Sequence, residues 1–148
     1  METQFVPVAP ESLETALNWM NRLYVEAGGT HSRNGALTAA EWLFANPATG
    51  GVWFIEVDGR TAGYLVLTAC FSLEFGGGFG LLDELYFAPE FRGVGLGAGA
   101  IAFAEAWCRE RGMQALRLEV ELNNERALRL YRRQGFVTQH RDLMTKWL

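Results

Sequence analysis

The residues most suited to chemistry cluster in LYFAPEFRGVGLGAGA, positions 85 to 100, where an apolar strand gives way to an arginine and alternating glycines that run straight into a helical stretch. Glycines leave backbone N–H groups free to turn toward one point, and the helix behind them adds the positive end of its dipole. Gly93, Val94, Gly95, Leu96 and Gly97 therefore form a candidate cradle for a pyrophosphate, with the Arg92 guanidinium beside it. A P-loop is excluded, because no Lys followed by Ser or Thr comes after the last glycine. A dinucleotide site fits more closely: Gly95, Gly97 and Ala100 have GxGxxA spacing, and Glu119 lies roughly 20 residues on. Against it, the glycines follow a meander of antiparallel strands instead of opening a βαβ repeat. The stretch from Ala88 to Arg92 also separates them from the strand they should directly follow.

A second chemical feature is the pair Asp83 and Glu84, which interrupts the apolar strand LLDELYF. An unpaired buried charge is costly, so at least one of the two should face a cleft, water or a partner. Regular alternation along a strand sends them to opposite faces. Glu119 and Glu121 read as strand-face charges, and His31 and His140 as loop or edge residues.

The elements that must position these groups follow from periodicity. After a short FVPV strand, Leu13, Leu17, Met20 and Tyr24 recur at helical spacing up to Gly28-Gly29. AGGTHSRNGA reads as a loop, and Thr38 with Glu41 as a capping box opening a second helix that carries Trp42 and Leu43 inward. GVWFIEV and TAGYLVLTACFS form a hairpin about Asp58-Gly59. The glycine cluster in FSLEFGGGFG separates them from LLDELYF, which Ala88-Pro89 ends. A helix from about Gly95 to Arg111 places Ile101, Ala104, Ala106 and Trp107 among its less polar positions, and LRLEVEL is the next strand. NNERALRLYRRQ starts at an asparagine cap and closes at Gly135, and FVTQHRDLMTKWL should supply a final strand or pair of strands. This order predicts an α/β (α+β) fold in a single domain over residues 1–148.

With 148 residues, 49% of them hydrophobic, the chain can bury one sizeable core. Its net charge of -4 and scattered basic residues give no footprint for nucleic acid. Cys70 and Cys108 lack metal or redox spacing and read as reduced, buried thiols, so no metal is expected. No basic, apolar leader and no run of about 18 apolar residues is present, which makes a cytoplasmic protein without a membrane partner the simplest reading.

Arg92, Gly95 and Gly97, between a strand and a helix, resemble the R/Q-x-x-G-x-G/A motif of the GNAT superfamily of N-acetyltransferases. Asn124, Ala127, Tyr131, Gly135 and Phe136 resemble its second signature, and the likeness runs over roughly residues 50 to 148. The resemblance implies a mixed, mainly antiparallel sheet flanked by helices, with LLDELYF and LRLEVEL splayed to admit the pantetheine arm of acetyl-CoA. Backbone groups at Tyr86 and Phe87 would pair with that arm, and the N–H groups from Gly93 to Gly97 would hold the pyrophosphate, with Arg92 adding charge. Asn124 would either bond the arm or cap its own helix.

The implied reaction moves an acetyl group to a primary amine of a small molecule or peptide by direct attack on the thioester. An alkylammonium must first lose a proton, and Glu84 aligns with the general-base glutamate of some family members, Asp83 being the fallback. Tyr131 holds the position of the acid that protonates the leaving thiolate, and a backbone N–H near Phe87 would face the transient oxyanion. The alternative is a non-catalytic acyl-CoA sensor on the same fold. Family likeness also implies a homodimer. EAGGTHSRNG, SLEFGGGF and TQHRD are the candidate acceptor-side loops, and their composition names no amine.

Overall fold

Asp58 and Gly59 adopt φ values of 49° and 77°, the left-handed pair that a two-residue hairpin needs, and the strands on either side pair from Val57–Arg60 back to Gly50–Thr68. The structure, a computed structural model, describes residues 1–29 and 31–148. Thr30, in the segment read as the first loop, lies outside the described residues. The elements run β1 (Thr3–Pro7), α1 (Leu13–Glu26), α2 (Arg33–Ala45), β2 (Gly50–Val57), β3 (Arg60–Ser72), β4 (Gly77–Phe87), α3 (Leu96–Glu110), β5 (Leu116–Leu118) and α4 (Glu125–Arg133). The five strands lie side by side in chain order, antiparallel except for the parallel pair β4–β5. This is the α/β (α+β) order read from the elements and the mixed, mainly antiparallel sheet flanked by helices that the family resemblance implies.

Strand alternation divides the apolar residues between two faces. Tyr64, Val66 and Tyr86 pack with Leu17, Met20 and Tyr24 of α1 on one side. Ile55, Leu65, Leu67 and Leu82 pack with Ala100, Ala104 and Trp107 of α3 on the other. Cys108 is buried in that second cluster, whereas Cys70 is only half-buried, short of the sequence expectation. Among the described residues no helix is long and apolar enough to cross a membrane.

Several local expectations are corrected. The second helix begins at Arg33, capped by Ser32, whose Oγ accepts from the Gly35 N–H at 2.8 Å. Thr38 sits inside that helix, its hydroxyl donating to the Asn34 carbonyl, so it caps nothing. Trp42 is 55% exposed, and Leu43 alone of that pair packs on the core. Glycines 77, 78 and 80 belong to β4 and pair with β3, so only Gly76, at φ 70°, serves the turn. The β5 ladder stops at Leu118, before the charged Glu119 and Glu121. With so short an edge to join, residues 137–148 form no strand and lie exposed.

The correction with most bearing on chemistry lies in β4. Val66 pairs with Glu84 but Leu67 pairs with Leu82, so Asp83 is an extra residue, a β-bulge. Alternation is broken there: Leu82 packs with α3, while Glu84, two positions on, takes hydrogen bonds from Tyr24 and Tyr64 on the α1 side.

Candidate active site and cosubstrate cleft

The β4–β5 ladder covers only Gly80–Leu116 through Leu82–Leu118, so among the described residues no strand pairs with β4 from Asp83 to Phe87 on that side. Opposite it, Tyr86 pairs with Tyr64, and the Ala88 N–H bonds the Ala62 carbonyl at 2.9 Å. By antiparallel alternation the backbone groups of Tyr86 turn to β3, and those of Leu85 and Phe87 turn to the open side. The opening widens into a cleft of about 320 Å³ between the end of β4, the glycine loop and α4, with Leu23 and Glu26 of α1 at its side. Its volume lies within the range of small-ligand sites.

Gly93 and Gly95 hold φ values of 78° and 87°, a conformation side chains disfavour, and Gly95 is the N-cap residue of α3. Among the described residues no side chain caps that helix, which leaves its first-turn N–H groups open to an anion. A Cβ on Gly97 would lie 2.5 Å from Leu130 Cδ2, so glycine there lets α3 approach α4 closely. Gly93, Gly95, Leu96 and Gly97 line the cleft, while the Val94 side chain is exposed outside it.

Arg92 is committed elsewhere. Its Nε donates to the Phe87 carbonyl at 2.8 Å, and Nη2 donates to both carboxylate oxygens of Glu26 at 2.9 Å. Glu26 also accepts from the Tyr86 hydroxyl at 3.0 Å, and burial followed by that bond raises the Tyr86 pKa. The guanidinium thus ties α1 to the last turn of β4.

Asn124 caps α4, its Oδ1 accepting from the Ala127 N–H at 3.2 Å, and it also lines the cleft. Of the two roles left open by sequence, the cap is the one formed here. Tyr131 faces the cleft from the same helix, edge-on to Phe136 with centroids 5.7 Å apart. Burial raises its phenol pKa, so it is protonated at neutral pH.

Glu84 is held by two phenols: Tyr64 donates to Oε1 at 2.8 Å, and Tyr24 to Oε2 at 3.0 Å. Burial raises its pKa and Asp83 adds to this, while the two hydrogen bonds and His31 work in the other direction. Both tyrosines are shifted upward, by burial first and then by the Glu84 charge, and so remain donors. Asp83, more open to water, is also raised, chiefly by the protein around its carboxylate, with His31 opposing. His31 stacks on Tyr24, centroids 4.4 Å apart. The carboxylate pair lies beside the cleft, not among the residues lining it: Glu84 is two residues before Tyr86 on the same face.

Sequence reasoning missed Tyr24, which read as a core-facing helix position, and did not single out Tyr64 within its strand. The available signal was that a buried phenol needs a hydrogen-bond partner and an interrupted strand offered a carboxylate. It also missed Glu26 and Arg126, both at the cleft.

The open edge of β4 and the glycine-led start of α3 share one cleft. Residues 13–136 match the acetyltransferase (GNAT) family, and the chain belongs to it. An uncharacterized N-acetyltransferase of Archaeoglobus fulgidus is 35% identical over 92 residues; the match spans 62% of this chain and only 62% of that relative's length. An integron cassette protein from the mobile metagenome of Cole Harbour Salt Marsh superposes with a TM-score of 0.84 at 31% identity, covering 98% of this chain and 90% of that one. A Clostridium acetobutylicum protein, described as a predicted acetyltransferase and solved with acetyl-CoA, has a TM-score of 0.82 at 14% identity, covering 98% and 96%, a likeness of fold.

Proposed function

We propose that the chain is an acetyl-CoA-dependent N-acetyltransferase that acetylates a primary amine of a small molecule or peptide. The observation that carries this reading is the cleft itself, in which free N–H groups at the start of α3 meet the unpaired edge of β4. Bound acetyl-CoA supplies an activated acetyl thioester. The loop from Gly93 to Gly97 holds its phosphates, and the backbone of Phe87, with that of Leu85, orients its arm as an added strand would be oriented. Tyr86 contributes through its side chain and the Glu26 bond, and Asn124 fixes the start of α4 at the cleft wall.

Glu84 takes the ammonium proton, directly or through water, before the amine attacks. Its raised pKa makes it a stronger base than an ordinary glutamate, and Tyr24 and Tyr64 orient both of its oxygens. Tyr131 carries the proton that the departing thiolate requires.

Thermal unfolding with acetyl-CoA, CoA and NAD(P)H tests the reading. Ligand at 100 times its Kd stabilises by about 2.7 kcal/mol, or about 5–10 °C for a chain this size. A shift with acetyl-CoA, followed by thiol release across an amine panel, supports it. A shift with NAD(P)H alone refutes it, and binding without thiol release on any amine assigns the chain to the sensor class instead.

A further inference from the structure

We infer that Arg126 of α4 is the side chain that recognises the cosubstrate's phosphates, and that Arg92, the arginine of the loop motif, is a positioning residue; the inference rests on reading the cleft as the CoA site. Arg92 already spends Nε on the Phe87 carbonyl and Nη2 on Glu26. Its charge is cancelled inside the cleft by the Glu26 carboxylate, which also lines it. Turning Arg92 toward the loop would strip the Phe87 carbonyl and leave Glu26, an anion, facing the incoming phosphates.

Arg126 has the opposite circumstances. It lines the cleft from the first turn of α4, where the helix dipole adds to its charge, and among the described residues no carboxylate lies within salt-bridge distance of it. Its Nη2 would stand 3.3 Å from a Cβ on Gly93, so the guanidinium lies over the start of the anion cradle, and the glycine leaves it room. Arg129, one turn on, is paired with Glu125 and does not line the cleft. Arg133 also lines the cleft, but from the last turn of α4, where the helix dipole opposes its charge, whereas Arg126 lies at Gly93. The positive charge beside the glycine loop therefore comes from the start of α4, across the cleft from the motif arginine.

The experiment is CoA affinity by titration calorimetry over a range of salt concentrations, for the wild type, Arg126→Ala, Arg92→Lys and the control Arg129→Ala. Losing a charge-assisted contact should weaken CoA about 10-fold or more in Arg126→Ala and flatten the salt dependence. Arg126 is exposed, so this variant folds. Arg92→Lys keeps the charge but cannot hold Glu26 and Phe87 together; it should lose affinity with the wild-type salt dependence intact, together with a lower Tm. Arg129→Ala should match the wild type. Repeating the Arg126→Ala titration with dephospho-CoA locates the contact: a persisting loss assigns the pyrophosphate, a vanishing one the 3′-phosphate.

The inference is overturned if Arg126→Ala binds like the wild type, if Arg129→Ala loses as much, or if Arg92→Lys retains wild-type affinity and Tm. Failure of the wild type to bind CoA would overturn the cleft reading itself, and this inference with it.

Discussion

Replacing Tyr64 by phenylalanine removes one hydroxyl from the sheet and, with it, the 2.8 Å hydrogen bond to Glu84 Oε1. That bond favours the ionised carboxylate, so its loss raises the Glu84 pKa further. A hydrogen bond to a charged group contributes about 1.5–3 kcal/mol, and one pKa unit corresponds to about 1.4 kcal/mol, which gives a rise of about 1–2 units. The lower figure is expected, because Tyr24 continues to hold Oε2. If Glu84 is the base, the acidic limb of kcat/KM moves about one unit toward higher pH while the plateau rate is kept. The assay is thiol release against pH, with Tm measured in parallel to confirm the fold.

Glu84→Gln should lower the plateau by about 10²- to 10⁴-fold and abolish that limb. Stability adds an independent check. Because the folded pKa of Glu84 lies above the unfolded one, the folded state binds the extra proton in the window between them, and stability falls as pH rises through it. Glu84→Gln should remove that fall. An acidic limb that stays in place in a well-folded Tyr64→Phe protein would refute the assignment of Glu84.

Two further outcomes are expected. Tyr131→Phe should lower kcat by about 10² or more and leave CoA affinity unchanged, since the hydroxyl is asked only to give a proton; an unchanged turnover removes the acid role. Gly63→Ala would set a Cβ 1.9 Å from the Tyr86 carbonyl oxygen, backbone against backbone, and should cost about 3 kcal/mol or more, a Tm loss of about 6–12 °C. A Tm within about 2 °C of wild type would show that β3 and β4 are not so closely held there.

What sequence could reveal was what depends on neighbours along the chain. Asp58-Gly59 carries its turn conformation in its residue types, Asn124 its cap, and the alternating glycines their freedom to expose N–H groups. Thr38 with Glu41 completed the local capping-box pattern, but the helix starts five residues earlier, at Arg33 behind the Ser32 cap, and a local pattern does not say which of two turns a helix begins on. Arg92 matched a motif, but its partner Glu26 lies 66 positions away on another element, and no spacing rule connects them. The open β5 edge and exposed terminal residues likewise depend on where a strand stops pairing, which apolar alternation in LRLEVEL did not disclose.

The bulge at Asp83 also has a meaning in evolutionary terms. A strand of regular count through this point would put Leu82 and Glu84 on the same face, and no substitution could part them, because parity is a property of length and not of composition. The bulge absorbs Asp83 as one residue beyond the count of the partner strand, so Leu82 stays with α3 while Glu84 reaches the tyrosines. Deleting Asp83 should therefore join the pairs Leu67–Leu82 and Val66–Glu84 into an unbroken ladder in which Glu84 keeps its tyrosines, whereas inserting a residue elsewhere in β4 would turn the residues on one side of it to the other face. In chains descended from a common ancestor with this one, the residue count between the Asp58-Gly59 turn and Pro89 carries information about whether the bulge is present that residue identities alone do not.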